Sequence, residues 1–168
     1  MGGLFLDSGS TFAYNQADYG GVIHCNGCDN LDFIGSTFYK NRAIEGGVFY
    51  LTGNSSLYDT QSTFRQNYAV KGALIKCSDC KAELTETKIM QNECDKGCIM
   101  YSDSYLVQIL MSKVNMSDNS ALSSGAVAYV TEGGDNSNKT EMWLKFNQCN
   151  FTWNTAKIGE AGLIYLSH

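Results

Sequence analysis

Six of the seven cysteines stand in close pairs, Cys25 with Cys28, Cys77 with Cys80 and Cys94 with Cys98, while Cys149 stands alone. Thiols at that spacing support three chemistries: local disulfides, a zinc site or a redox couple. The motifs CNGC and CSDC recur at equivalent places two repeat units apart, about 9.6 Å by the spacing of stacked strands. Sulfurs on one zinc must lie within about 4 Å of one another, so a shared four-cysteine centre does not form. A redox couple would need a thioredoxin-like βαβ setting, which the flanking residues lack. Local disulfides, or reduced thiols held within a stack, remain. No metal and no cofactor is expected.

Carboxylates are the other chemically capable set. Hydrolysis or lyase chemistry needs them clustered on one face. Asp18 and Asp95 share a position in the repeat described below, but they lie three units apart. Asp29, Asp79 and Asp103 fall at three different positions, and imidazoles are confined to His24 and His168. Nothing converges, and the chain reads as non-enzymatic. Four Asn-x-Ser/Thr acceptors for N-glycosylation begin at Asn54, Asn115, Asn138 and Asn150. With the paired cysteines they point to an oxidising, extracellular or cell-surface setting. Charged residues make up 17% of the chain and the net charge is −5. Nucleic acid and anionic membrane are poor partners for such a surface. No apolar run approaches the ~18 residues of a membrane span.

A repeat must position these groups. An apolar anchor is followed three residues later by Asn, five later by a small residue, and eight to ten later by Gly or Ala. The anchors are Phe12, Phe38, Phe64, Ile89, Met116 and Phe151, at spacings of 26, 26, 25, 27 and 35. The last spacing is stretched by the polar run TEGGDNSNKTE. Each unit is rich in Thr, Tyr, Phe, Val and Ile and is punctuated by Gly, Asn and Ser, the signature of short strands and tight turns. The expected fold is all-β: one right-handed parallel β-helix segment over residues 1–168, about six coils of about 26 residues with three strands each. Six coils would make a rod about 29 Å long. The absence of proline agrees, since every strand must donate to its neighbours. The anchors should stack inward, Asn15, Asn41, Asn67, Asn92, Asn119 and Asn154 should form an amide ladder, and Gly20, Gly46, Gly72 and Gly97 should mark turns.

Phe-x-x-Asn alternating with Gly-Gly-apolar, from STFAYN to AGLIYL, resembles the repeat of the chlamydial polymorphic outer-membrane proteins, on a β-helix of the pectin-lyase-like type. Gly-Gly is intact only at 20–21 and 46–47. The resemblance implies a β-helical passenger region with a structural or adhesive role. The alternative is a fragment of a carbohydrate-active β-helix enzyme whose catalytic loops lie elsewhere.

Three expectations follow for partners. The first and last segments fall in the Gly-apolar half of a coil without a polar cap, so flanking coils or like subunits should cover them end to end. Asn138 and Asn54 should be the most accessible acceptors, with Asn115 and Asn150 also pointing outward. Finally, the column His24, Tyr50, Lys76, Tyr101, Tyr129, Tyr165 should face outward, with the four tyrosines as an interaction face for protein or glycan. If strict alternation holds, Val22, Val48, Leu74, Ile99, Val127 and Leu163 lie beside it as an exposed apolar stripe. If the Gly turn re-aims them, they turn inward.

Overall fold

A computed structural model describes residues 3–104, 106–131 and 142–167. Among these there is no helix; every regular element is a short strand, and all pairings are parallel. The chain is a parallel β-solenoid of about five turns with coils near 26 residues. Each described coil after the first carries four strands rather than the expected three, so the rod has four faces; the first coil meets the third face only through isolated bridges at Gln16 and Tyr19.

The first face stacks Leu4–Ser8, Asn30–Ile34, Ser55–Thr60, Cys80–Thr85, Val107–Ser112 and Trp143–Asn147. The second stacks the anchor strands Thr11–Ala13, Thr37–Tyr39, Thr63–Arg65, Lys88–Met90, Asn115–Ser117 and Asn150–Thr152. The third holds Arg42–Glu45, Tyr68–Lys71, Glu93–Lys96, Ser120–Ser124 and Thr155–Ala156. The fourth holds Ile23–Asn26, Phe49–Thr52, Ile75–Cys77, Met100–Ser102, Ala128–Thr131 and Ile164–Ser167. The fourth strand arises because what composition suggests is one bend becomes two corners. A left-handed residue (Gly35, Gln61, Glu86, Lys113, Gln148; φ 53–63°) separates the first face from the second. Another (Tyr14, Lys40, Gln66, Gln91, Asp118, Trp153; φ 53–58°) separates the second from the third.

The anchors stack as expected. Phe12, Phe38 and Phe64 lie nearly parallel, with centroids 5.1 and 4.5 Å apart, and Ile89 and Met116 continue the column in register. The Asn column forms an unbroken ladder. The backbone N–H and Nδ2 of Asn15, Asn41, Asn67, Asn92 and Asn119 each donate to Oδ1 of the next Asn, at 2.8–3.1 Å. From Asn41 onward, each Nδ2 also donates to the carbonyl three residues before the preceding Asn, as Asn67 does to Phe38 at 3.1 Å. An amide with one acceptor and two donors thereby closes a corner that water cannot reach.

The apolar stripe turns inward: Val48, Leu74, Ile99 and Val127 are fully buried. The reason is the bend that precedes each strand of the fourth face: Val48, Leu74, Ile99 and Val127 lie just before Phe49, Ile75, Met100 and Ala128, outside the strands. The consecutive N–H groups of Val48 and Phe49 both donate to the single carbonyl of Leu74, and those of Ile99 and Met100 both donate to Val127. Residues still pair one to one between coils, Phe49 with Ile75 and Met100 with Ala128, but at the bend the strand's period of two does not apply, and both side chains of each consecutive pair face the core. Gly46, at φ 66°, enters this bend, and a Cβ there would collide with the Phe49 carbonyl.

Candidate functional site

With the interior filled, any site must be built from outward columns. The fourth face brings His24, Tyr50, Lys76, Tyr101, Tyr129 and Tyr165 into one register, outside the coil as the alternation requires. Tyr129 stacks on Tyr165 at 4.5 Å and on Tyr101 at 5.4 Å, with interplanar angles of 11° and 3°. Tyr50 packs instead against Tyr19 and His24. Tyr50, Tyr129 and Tyr165 are half-buried, whereas Tyr101 is only 8% exposed and Lys76 2%. Both of the last two depart from the exposed column expected.

The cause is covering from the side. Lys76 lies between the rings of Tyr50 and Tyr101, 5.8 and 5.6 Å from their centroids, and its ammonium donates to Asp103 and Ser78 at 2.5 Å. A buried ammonium is tolerable once it is paired and hydrogen-bonded. Burial pulls the Asp103 carboxyl upward, but the hydrogen bond and charge of Lys76 outweigh it, and the group ends below its ordinary value. Lys71 lies 5.3 Å from the Tyr101 centroid, and burial raises the pKa of that phenol.

The paired cysteines form local disulfides, Cys25–Cys28, Cys77–Cys80 and Cys94–Cys98, with Cα separations of 6.0, 5.7 and 5.0 Å. Cys149 is free, and its thiol faces the Met111 carbonyl at 3.2 Å. Asn54 is exposed at a left-handed turn position. Asn115 and Asn150 are exposed on the second face and directly paired with one another. Asn138 and His168 lie outside the described residues.

The corner of the second and third faces holds a feature that the repeat offsets do not reveal. There the left-handed residues Lys40, Gln66, Gln91 and Asp118 form a ridge, and with Tyr68 and Glu93 they enclose a cavity of about 530 Å³. Tyr68 also lines a cleft of about 280 Å³ with Asp18, Arg42 and Ile44, and another of about 110 Å³ with Asp95, Leu122 and Lys157. The three run along the third face. The Arg42 guanidinium sits 4.5 Å from the Tyr68 centroid. Glu93 and Asp118 share this cleft although they occupy different repeat positions, which is why aligning acids by offset misses them. The left-handed turn between the columns brings them together. Each cleft mixes both charge signs, a lining suited to holding a polar partner.

One further carboxylate has an unusual environment. Asp59 faces the core between Phe33 and Leu84 and is 2% exposed. Burial raises its pKa to about 6, an effect that Ser62 and Thr87 beside it only partly offset. Thr87 donates to Oδ2 at 2.5 Å, while Oδ1 has no partner. It lines none of the clefts described above, so its role is in the wall. Among the described residues no group of three His, Cys, Asp or Glu side chains is placed to hold a metal. No family model, curated protein or solved structure matches the chain.

Proposed function

We propose that the chain is a non-enzymatic structural and adhesive segment of an extracellular or cell-surface repeat protein, glycosylated, and stacking end to end with neighbouring coils or like subunits. The observation that carries this reading is the division of labour around the coil. The interior is spent on packing and the Asn ladder, and the outer columns hold what could meet a partner. The third face carries the clefts around Tyr68, together with Ile44 at 52% and Leu122 at 46% exposure. No glycosylation acceptor lies on it among the described residues, whereas Asn115 and Asn150 occupy the second face and Asn54 the turn after the fourth. Contiguous exposed apolar and aromatic area rimmed by polar groups marks interaction surfaces. The aromatic column of the fourth face extends this surface around the corner, since Lys71 reaches from the third face to Tyr101.

The test is a binding screen of the purified chain against immobilised extracellular-matrix proteins and glycans. The reading expects a ligand whose capture is lost in Tyr68→Ala and Arg42→Glu. Capture of no ligand, together with cleavage of a polysaccharide that depends on Glu93 and Asp118, would establish the carbohydrate-active alternative instead.

A further inference from the structure

The three disulfides join residues three or four apart, so none of them ties one coil to the next. Among the described residues, successive coils are linked sideways by hydrogen bonds, ion pairs and packing. At one place the side chains are nevertheless arranged for a covalent link between coils. Tyr129 and Tyr165 pair in register on adjacent strands, with ring centroids 4.5 Å apart and planes 11° from parallel, and both are half-buried rather than enclosed. Near-parallel stacking sets the ring carbons beside each hydroxyl over the neighbouring ring, and those carbons carry much of the unpaired spin of a phenoxyl radical. We propose that Tyr129 and Tyr165 are a site of oxidative coupling, joined by a dityrosine bond when a peroxide-using haem peroxidase or an equivalent one-electron oxidant is present.

The step balances. Each phenol gives up one electron and one proton to become a phenoxyl radical. The two radicals form one carbon–carbon bond between ortho positions. Each ring then becomes aromatic again as its displaced ring hydrogen moves to the phenolic oxygen. One hydrogen peroxide accepts the two electrons and two protons and leaves as two waters. Among the described residues, other tyrosine pairs are less well placed. Tyr19 and Tyr50 are tilted by 60°, and Tyr14 and Tyr39 meet edge to face at 77°. Tyr101 stacks on Tyr129 but at 5.4 Å, and it is nearly enclosed. The bond would close a covalent loop around the polar run between residues 131 and 142, and so restrain the coil that follows that run against opening.

The test uses the purified chain at low concentration with a haem peroxidase and hydrogen peroxide, followed by peptide mass mapping and dityrosine fluorescence. The expected product is monomeric, lighter by two hydrogens, with the peptides containing Tyr129 and Tyr165 joined and the unfolding midpoint raised. Tyr129→Phe and Tyr165→Phe each keep a stackable ring and should each abolish that linked peptide, while Tyr39→Phe should leave it intact. Three outcomes overturn the proposal: linkage mainly at other tyrosines, product only between molecules with yield rising with concentration, or tyrosine oxidation without this bond. The reaction is read on the isolated chain, so its outcome is independent of any ligand or compartment.

Discussion

Single residues set the local electrostatics of the wall, and two of them make opposite predictions. Asp59 is a buried carboxyl with a pKa raised from 3.8 to about 6 by desolvation. Below about pH 4 it is neutral in the folded and unfolded chain alike and carries no penalty. Between about pH 4 and about pH 6 the unfolded chain ionises freely while the folded chain resists, so stability falls with rising pH and levels off above that window. A displacement of about two units corresponds to roughly 3 kcal/mol at neutral pH. Asp59→Asn should remove this slope and raise neutral-pH stability, read from urea melts at pH values on either side of the window. A wild-type melt that strengthens across the window would contradict the assignment. At Lys76 the buried charge is already paired. Asp103→Ala should therefore cost about 3–5 kcal/mol, because it leaves an ammonium enclosed without its counter-ion. Lys76→Met should cost less, since the Asp103 side chain is 42% exposed and water can replace its partner. Equal losses in the two variants would mean that the ion pair is not the source of the effect.

At the scale of elements, the corner ladder and the bend before the fourth face decide which parts of a coil face in. Asn67 accepts from both the N–H and the amide of Asn41 and donates to Phe38 and Asn92. Asn67→Ala would strand several buried polar groups at about 1–3 kcal/mol each. Asn15→Ala should cost less, because Asn15 is exposed and water can replace what its side chain gives to Asn41. The comparison is made by denaturant titration, and equal costs would argue against a cooperative ladder. Much of this was legible in the sequence. The apolar, Asn and small-residue offsets fixed the anchors, the ladder and the parallel stacking, since those positions demand particular residue types. The left-handed corners were not legible, because Tyr14, Lys40, Gln66, Gln91, Asp118 and Trp153 share no residue type. Their backbone is held by the Asn that follows each of them, and their side chains are free to vary outside. The same freedom hid the cleft they line. The inward turn of Val48 and its equivalents was one of two stated outcomes. Which applied depended on whether the bend before each fourth-face strand breaks the alternation, a backbone event that the side chains of Val48 and Phe49 do not signal.

Across the whole molecule, stability comes from stacking coils rather than from covalent cross-links. Each disulfide closes a loop of only four or five residues, a restraint worth about 2 kcal/mol in the chain-entropy description. Mild reduction should lower the unfolding midpoint while leaving the strand signature in circular dichroism intact. Collapse to a disordered chain on reduction would show that the bridges, not the ladders, hold the rod. The central claim is that the coil is displayed outside the cell, with partners meeting its outer faces, and its most direct test is a glycopeptide map of the native protein. Enzymatic deglycosylation in heavy-oxygen water marks each occupied Asn as a labelled Asp. Labelling is expected at Asn54, which is exposed at its turn, and at the exposed Asn115 and Asn150, with Asn138 in the polar run also labelled. All four asparagines bare in native material would contradict the account.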